Sequence, residues 1–418
     1  MASFLISDVR IFDGQQTIEN GSVLVENGKI SKVSSEPIQF QGTKYSKPGH
    51  TLLPGFIDTH IHANSGNERA LPQSLRFGCT TVCDMHNEWE NILKLKKQQE
   101  AGDCADLKTT SFAATIENGW PMPIILMHTD SPKTRAELAT WPKLETTEDA
   151  VSYVNQRVEE GVDYIKLMHE SGTVMNQTFR KPTIDLQKAV IHEAHKHGLT
   201  VVAHALSLDD AIEILEAGVD GTTHTIVDQA PNQRLIDAYK KHNAHCSPTL
   251  STLGSATSEG KSQQEKYAHD ARIEGLLGKE ERDRLCQCMA FAQGNGQACE
   301  HAYESVRQMK AVGVPVLLGT DAAGPALGTA WGLTAHQELV IFVEQCGFTP
   351  EEALIAATSL PAKRFKFSDR GNIKEGLRAD LLLVEGNPLK NIDDTLNIRG
   401  VWTQGQLCSS YRDKLQKS

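Results

Sequence analysis

Hydrophobic and polar positions follow two different rhythms along this chain. Near the N-terminus the period is two. SFLISDVRIFDG and GSVLVENGKISKVSS read as short alternating strands, with ENG as a hairpin turn. ADLLLVEG and IRGVWTQGQ, near the C-terminus, have the same texture. The two β-rich ends are therefore expected to pair into one small sheet domain. Between them, apolar runs that end in polar residues recur: TLLPGFIDTHIH, GCTTVCDMH, KTTSFAATI, GVDYIKLMH, LTVVAHA, GVDGTTHTI, AHCSPTL and GVPVLLGTD. Helical patterns separate them. Leu208, Ala211, Ile212 and Leu215 fall at i, i+3, i+4 and i+7, with Ser207 as N-cap and Gly218 as stop. Leu186, Ala189, Val190 and Ala194 form a second such face, ended by Gly198.

Apolar strands alternating with helices predict an α/β fold, a (β/α)8 TIM-like barrel whose parallel strands are buried on both faces. The expected division is residues 1–53 and 369–418 as the two parts of a small β-sandwich domain, with residues 54–368 as the barrel. Residues 251–311 are longer than a simple connector. Their stretch EGKSQQEKYAHDARIEGLLGKEERDRL is charged and helical, and a long insertion at this barrel face is a candidate lid, a role the sequence leaves open.

Composition narrows the function. Of 418 residues, 39% are hydrophobic and 23% charged, which is the balance of a soluble globular protein. The net charge of −11 argues against nucleic acid or an anionic membrane as partner. No apolar run reaches the roughly 18 residues that span a bilayer. MASFLISDVRIFDG lacks the layout of a secretory signal, and LQKS is not a peroxisomal tripeptide. The nine cysteines are scattered, and CTTVC and CQC have the wrong spacing for a zinc knuckle. They read as free thiols in a reducing compartment, so a cytoplasmic location is expected.

Chemistry in such a barrel gathers where the strands end. The first run ends in His60-Ile61-His62, and alternate strand residues share a face, so both imidazoles point one way and form a seat for a borderline cation such as zinc. The fourth run carries Lys166 between Ile165 and Leu167, the fifth ends in His204, the sixth in His224 and the eighth in Asp321. Any one of these could be a hydrogen-bonded core residue; all six at one rim point to a site. Lys166 has two readings. Its ammonium snorkels out from a strand end, or its charge has been removed by chemistry, since a lysine is almost never buried without a partner.

LLPGFIDTHIH, DYIKLM, VVAHA, GVDGTTHT and LLGTDA, followed by GFTPEEALIAATSLPAKRF and GNIKEGLRADLLLVEGNP, resemble the amidohydrolase superfamily over nearly the whole chain. Within it the chain is most similar to the imidazolonepropionase-like and Xaa-Pro dipeptidase-like group, which includes amidases of bulky N-acyl amino acids. The resemblance implies two divalent metal ions, zinc in the first instance. His60, His62 and Asp321 would hold the more buried ion and His204 and His224 the more exposed one. Lys166 would bridge them as a carbamate derived from carbon dioxide. Asp321 would act as general base toward a hydroxide shared by the two ions. The reaction implied is cleavage of an amide bond in an N-acyl amino acid or dipeptide-like substrate. A lactonase or esterase using the same site is the alternative, and a non-catalytic scaffold of the same fold is a remote one. A small-molecule substrate and a homo-oligomer are expected by the same resemblance.

Substrate contacts are expected from His86 after the second strand, His128 after the third in ILMHTD, and His169 in LMHESG, where it would narrow the pocket. Trp89, Trp120 and Trp331 lie in loops and either wall an aromatic pocket or pack in the core. His192, His195 and His197 read as helix-surface residues, and Glu338 as structural.

Overall fold

The computed structural model describes residues 3–294 and 296–416. Five strands open the chain: Phe4–Phe12 (β1), Thr17–Glu26 (β2), Lys29–Ser34 (β3), Thr43–Ser46 (β4) and His50–Pro54 (β5). Eight short ones follow: Phe56–His62 (β6), Cys79–Asp84 (β7), Asp106–Thr109 (β8), Tyr164–Met168 (β9), Thr200–His204 (β10), Gly221–Thr223 (β11), His245–Ser247 (β12) and Ala322–Ala323 (β13). Leu381–Glu385 (β14), Ile398–Thr403 (β15) and Gln406–Leu407 (β16) close it.

The chain ends do pair. β14 runs antiparallel to β5, and together with β1, β2, β3, β15 and β16 they form one path in the order β16-β15-β14-β5-β1-β2-β3, with β4 on β1. The sequence led us to expect a sandwich; the pairing is a single sheet that folds over on itself. Phe4 of β1 stacks on Trp402 of β15 at 5.6 Å, although β14 and β5 lie between those strands. The apolar run LLLV of β14 is divided between two cores. Leu381 and Leu383 join the sheet's own cluster with Phe4, Ile6, Val23 and Trp402, while Leu382 and Val384 face the large cluster of the α/β region. A strand with both faces covered has no polar side to present, which is why the alternation vanishes there.

The α/β region holds two parallel sheets, β13-β6-β7-β8 and β12-β11-β10-β9. Backbone bonds join them. Ala114 N–H donates to Lys166 O at 2.8 Å, and Met168 N–H to Ala114 O at 3.0 Å. On the other side Leu317 N–H donates to Cys246 O at 2.8 Å and Thr59 N–H to Leu318 O at 3.0 Å. The eighth apolar run is therefore extended and bonded piecewise, and the third breaks at Ser111, whose φ is 57°. Helices pack on the outside. Leu208–Ala217 starts at Ser207, whose hydroxyl accepts Asp210 N–H, and stops at Gly218 with φ 105°. Ile184–Lys196 starts at Thr183. The 251–311 segment contains helices Lys261–Ala268, Lys279–Leu285 and Cys299–Ala311. None of the nine cysteines is in a disulfide. No helix among the described residues is long and apolar enough to cross a membrane.

Candidate metal centre

Period two along the strands sets which side chains meet. Ile165, Leu167, Val201 and Ala203 face the helix layer and belong to the large cluster. Tyr164 and Val202 point the other way, into a small cluster with Cys83, Met85, Leu317 and Phe365. Lys166 and His204 stand two residues further along those same faces and so rise above that apolar plug. On β6 the same rule aligns Asp58, His60 and His62. Asp58 is fully buried, accepting the backbone N–H groups of His60 and Thr320 at 3.1 and 3.0 Å and the Thr320 hydroxyl at 2.7 Å. It locks the β6 end to the loop that carries Asp321.

The candidate ligands converge. His60 Nε2 and His62 Nε2 lie 3.2 Å apart, and each is 3.2 Å from Asp321 Oδ1. His60, His224 and Asp321 have ligand atoms within 4.8 Å of one another. The His224 ring is 4.8 Å from that of His60 and 4.7 Å from that of His204. Lys166 is 1% exposed, its Nζ donates to the Thr223 hydroxyl, and among the described residues no carboxylate pairs with it. His224 (φ 73°) and Asp321 (φ 55°) both adopt left-handed backbone, which costs a non-glycine residue about 1–3 kcal/mol and clusters at functional sites.

Electrostatics favours neutral donors. Burial, then the Lys166 charge, pushes His60 and His204 well below the usual histidine range, and burial does the same to His224. Burial brings Lys166 down to about 7, against a smaller upward pull from Asp321. Burial pushes Asp321 up, but the His62 hydrogen bond and the His224 charge outweigh it and hold the carboxyl below its ordinary value. The result is a set of unprotonated imidazole nitrogens and one ionised carboxylate, the donor chemistry of a divalent cation site.

Partners behind the ligands were not visible in the sequence. Glu170 Oε2 is 3.1 Å from His204 Nε2, and the Thr249 hydroxyl is 2.8 Å from His224 Nδ1. Trp120 stacks on His204 at 5.0 Å, and Trp331 Nε1 donates to His62 O at 3.3 Å. Glu338 accepts Leu250 and Ser251 N–H at 2.7 and 2.8 Å and caps the helix Leu250–Thr257, a structural role.

The expected substrate contacts divide. His86 is 8% exposed, flanked by Trp141 and Phe112; its Nδ1 accepts Ala113 N–H at 3.0 Å, so Nε2 carries the proton, and that N–H has no partner. His128 is corrected: PIILMH belongs to the helix Met122–His128, and His128 is exposed at its end. His169 is corrected too. As an odd-numbered neighbour of Lys166 it points to the helix layer, where Nε2 meets Glu213 at 3.1 Å and Nδ1 meets Gln187. The acidic group His169, Asp210 and Glu213 is closed by the Lys181 ammonium. His195 pairs with Asp220 on the surface.

The sequence profile of the amidohydrolase family matches residues 51–408. The chain belongs to the amidohydrolase family. Among its relatives, a dihydroorotase of Listeria monocytogenes is 28% identical over 91 residues, 20% of this chain and 21% of that protein. The chain thus spans about a fifth of that relative's length. The imidazolonepropionase of Paracoccus denitrificans is 23% identical over 388 residues, 88% of each chain. The solved structure of a Xaa-Pro dipeptidase with bound methionine in its active site shares the fold, with TM-score 0.75, 21% identity and coverage of 97% of this chain and 99% of that one.

Proposed function

We propose that this member of the family is a metal-dependent hydrolase that cleaves an amide bond in a small N-acyl amino acid or dipeptide-like substrate, using two divalent cations of the zinc type. His60, His62 and Asp321 would hold one cation and His204 and His224 the other. Lys166, as a carbamate, would lie between them. The observation that carries this reading is the convergence of His60 Nε2, His62 Nε2 and Asp321 Oδ1, pairwise 3.2 Å apart, beside a buried lysine with which no carboxylate among the described residues forms an ion pair. Burial that brings Lys166 to about 7 supports carbamate formation, which needs the free amine. When bound, the cations supply a Lewis acid and a water acidic enough to ionise near neutral pH.

The chain's own residues do the rest. Asp321, held ionised, accepts a proton from the attacking water and delivers it to the leaving amine. His86 offers its unpartnered Nε2–H to an oxygen of the substrate. Trp120 restricts the site beside His204 and keeps bulk water off that imidazole. We read the two four-stranded sheets as halves of one closed barrel over residues 54–368, with 1–53 and 369–418 as a separate sandwich-like domain. The backbone bonds that join the sheets and the separate apolar cluster of the terminal strands support this. The 251–311 segment acts as the lid. The 3.4 Å bond from Asn176 Nδ2 to Gln293 O, which reaches the loop after β9, supports that role.

Elemental analysis of the purified chain, with hydrolysis assays on N-acyl amino acids, dipeptides, esters and lactones, tests the reading. Wild type is expected to carry two cations and to prefer an amide. Lys166→Ala is expected to lose more activity than the about 10–100-fold that removal of an outer partner of a metal ligand costs. Equal activity of the two proteins on the best substrate would overturn the bridge, and a preference for lactones would reassign the substrate class.

A further inference from the structure

Glu170 lies two residues beyond the end of β9 and takes no part in the reaction proposed above. Its carboxylate is nonetheless among the most enclosed in the molecule, with a side chain 0% exposed. One oxygen, Oε1, accepts the N–H of Gly172 at 2.7 Å, and Gly172 turns the chain with φ 89°. The carboxylate is therefore hydrogen-bonded to the turn that follows it. The other oxygen, Oε2, sits 3.1 Å from His204 Nε2. The His204 ring is also held from its face by Trp120, 5.0 Å away and inclined by 20°, and is 6% exposed.

The consequence is chemical. An imidazole has two nitrogens, and a cation takes the lone pair of one while the proton stays on the other. Nε2 of His204 is engaged by the carboxylate, so Nδ1 is the nitrogen left for a cation, and the ring proton then lies between Nε2 and Glu170. A carboxylate there fixes the tautomer, orients the ring and makes the free nitrogen more basic. His224 has a weaker counterpart, because the Thr249 hydroxyl beside its Nδ1 can donate or accept and carries no charge.

The geometry points to Glu170 as the positioning residue that presents His204 Nδ1 to the more exposed cation and sets how tightly that cation is held. This rests on the two-cation reading and deepens it: the two ions would be held unequally, the one at His204 depending on a carboxylate that does not touch it.

Zinc titration of the metal-free chain against a competing chelator, with elemental analysis after dialysis and thermal melting of the metal-free proteins, tests the assignment in wild type, Glu170→Gln and Glu170→Leu. Glu170→Gln keeps an acceptor of the same size without the charge and serves if Glu170→Leu fails to fold. Wild type should take up two zinc ions. In Glu170→Gln one should bind as before and the other about 10–100-fold more weakly, with a larger loss in Glu170→Leu. Two ions held at wild-type affinity by both variants, with only the melting temperature lowered, would make Glu170 a structural carboxylate and overturn the proposal. A wild-type chain that takes up no zinc would sink the metal centre itself, and this proposal with it.

Discussion

At the scale of single residues, the polar side chains at strand ends were the most legible feature of the chain. His60, His62, Lys166, His204, His224 and Asp321 are distinctive because each interrupts or ends an apolar run, and the structure brings the four imidazoles and the Asp321 carboxylate together. The errors came from applying the same rule unevenly. Period two, which places His60 and His62 together, also sends His169 to the opposite face from Lys166, three positions away. His128 does follow the third strand as expected, but it ends the helix Met122–His128 and is exposed there, an orientation that position after a strand does not fix. His86 carries a prediction of its own. Its Nε2–H is buried without a partner. In His86→Phe, KM for the best amide should rise by up to about tenfold, the worth of one hydrogen bond, with kcat little changed. Steady-state kinetics decides this, and an unchanged KM would remove His86 from the substrate contacts.

At the scale of elements, the caps and stops of the helices could be read directly, as at Ser207 and Gly218. What an element packs against could not. The helix Leu333–Glu344 shows the difference. Its His336 is 1% exposed, with Nε2 2.8 Å from Phe77 O and Nδ1 2.9 Å from the Thr395 hydroxyl, so one imidazole links the helix to two distant segments. Burial pushes its pKa from 6.5 to about 4, with the Phe77 contact pulling slightly back. Between those values the unfolded chain binds a proton that the folded chain refuses, so this group's contribution to stability falls as pH drops from 6.5 toward 4. The slope is at most about 1.4 kcal/mol per pH unit. Urea unfolding at pH 7 and pH 4.5 should therefore show a smaller acid loss in His336→Gln than in wild type, by about 1–3 kcal/mol. Parallel losses in the two proteins would contradict it.

At the scale of the whole molecule, buried ion pairs tie the C-terminal part of the chain to the α/β region. Arg370, 4% exposed, donates to Asp106 at the start of β8 and to the Thr81 hydroxyl at 2.9 Å, and Arg378 reaches the same carboxylate at 3.2 Å. Arg370→Ala leaves the buried Asp106 carboxylate with Arg378 as its close partner, so unfolding free energy should fall by less than the about 3–5 kcal/mol that a wholly uncompensated buried charge costs, read from the urea midpoint. A shift below about 1 kcal/mol would mean that this network behaves as an exposed one.

The sequence by itself determined the strand rhythm, the alternation with helices and the pairing of the two ends, and it singled out the polar strand-end residues proposed as the metal site. These are local or periodic properties, and a period of two or 3.6 residues is written into every short window. Only the tertiary structure decided which partners stand behind those residues: Glu170 on His204, Thr249 on His224, Asp58 between His60 and Thr320. A buried carboxylate leaves no periodic trace. Its role depends on which distant group arrives within about 3 Å, the reach of a hydrogen bond, and only the folded chain sets that distance.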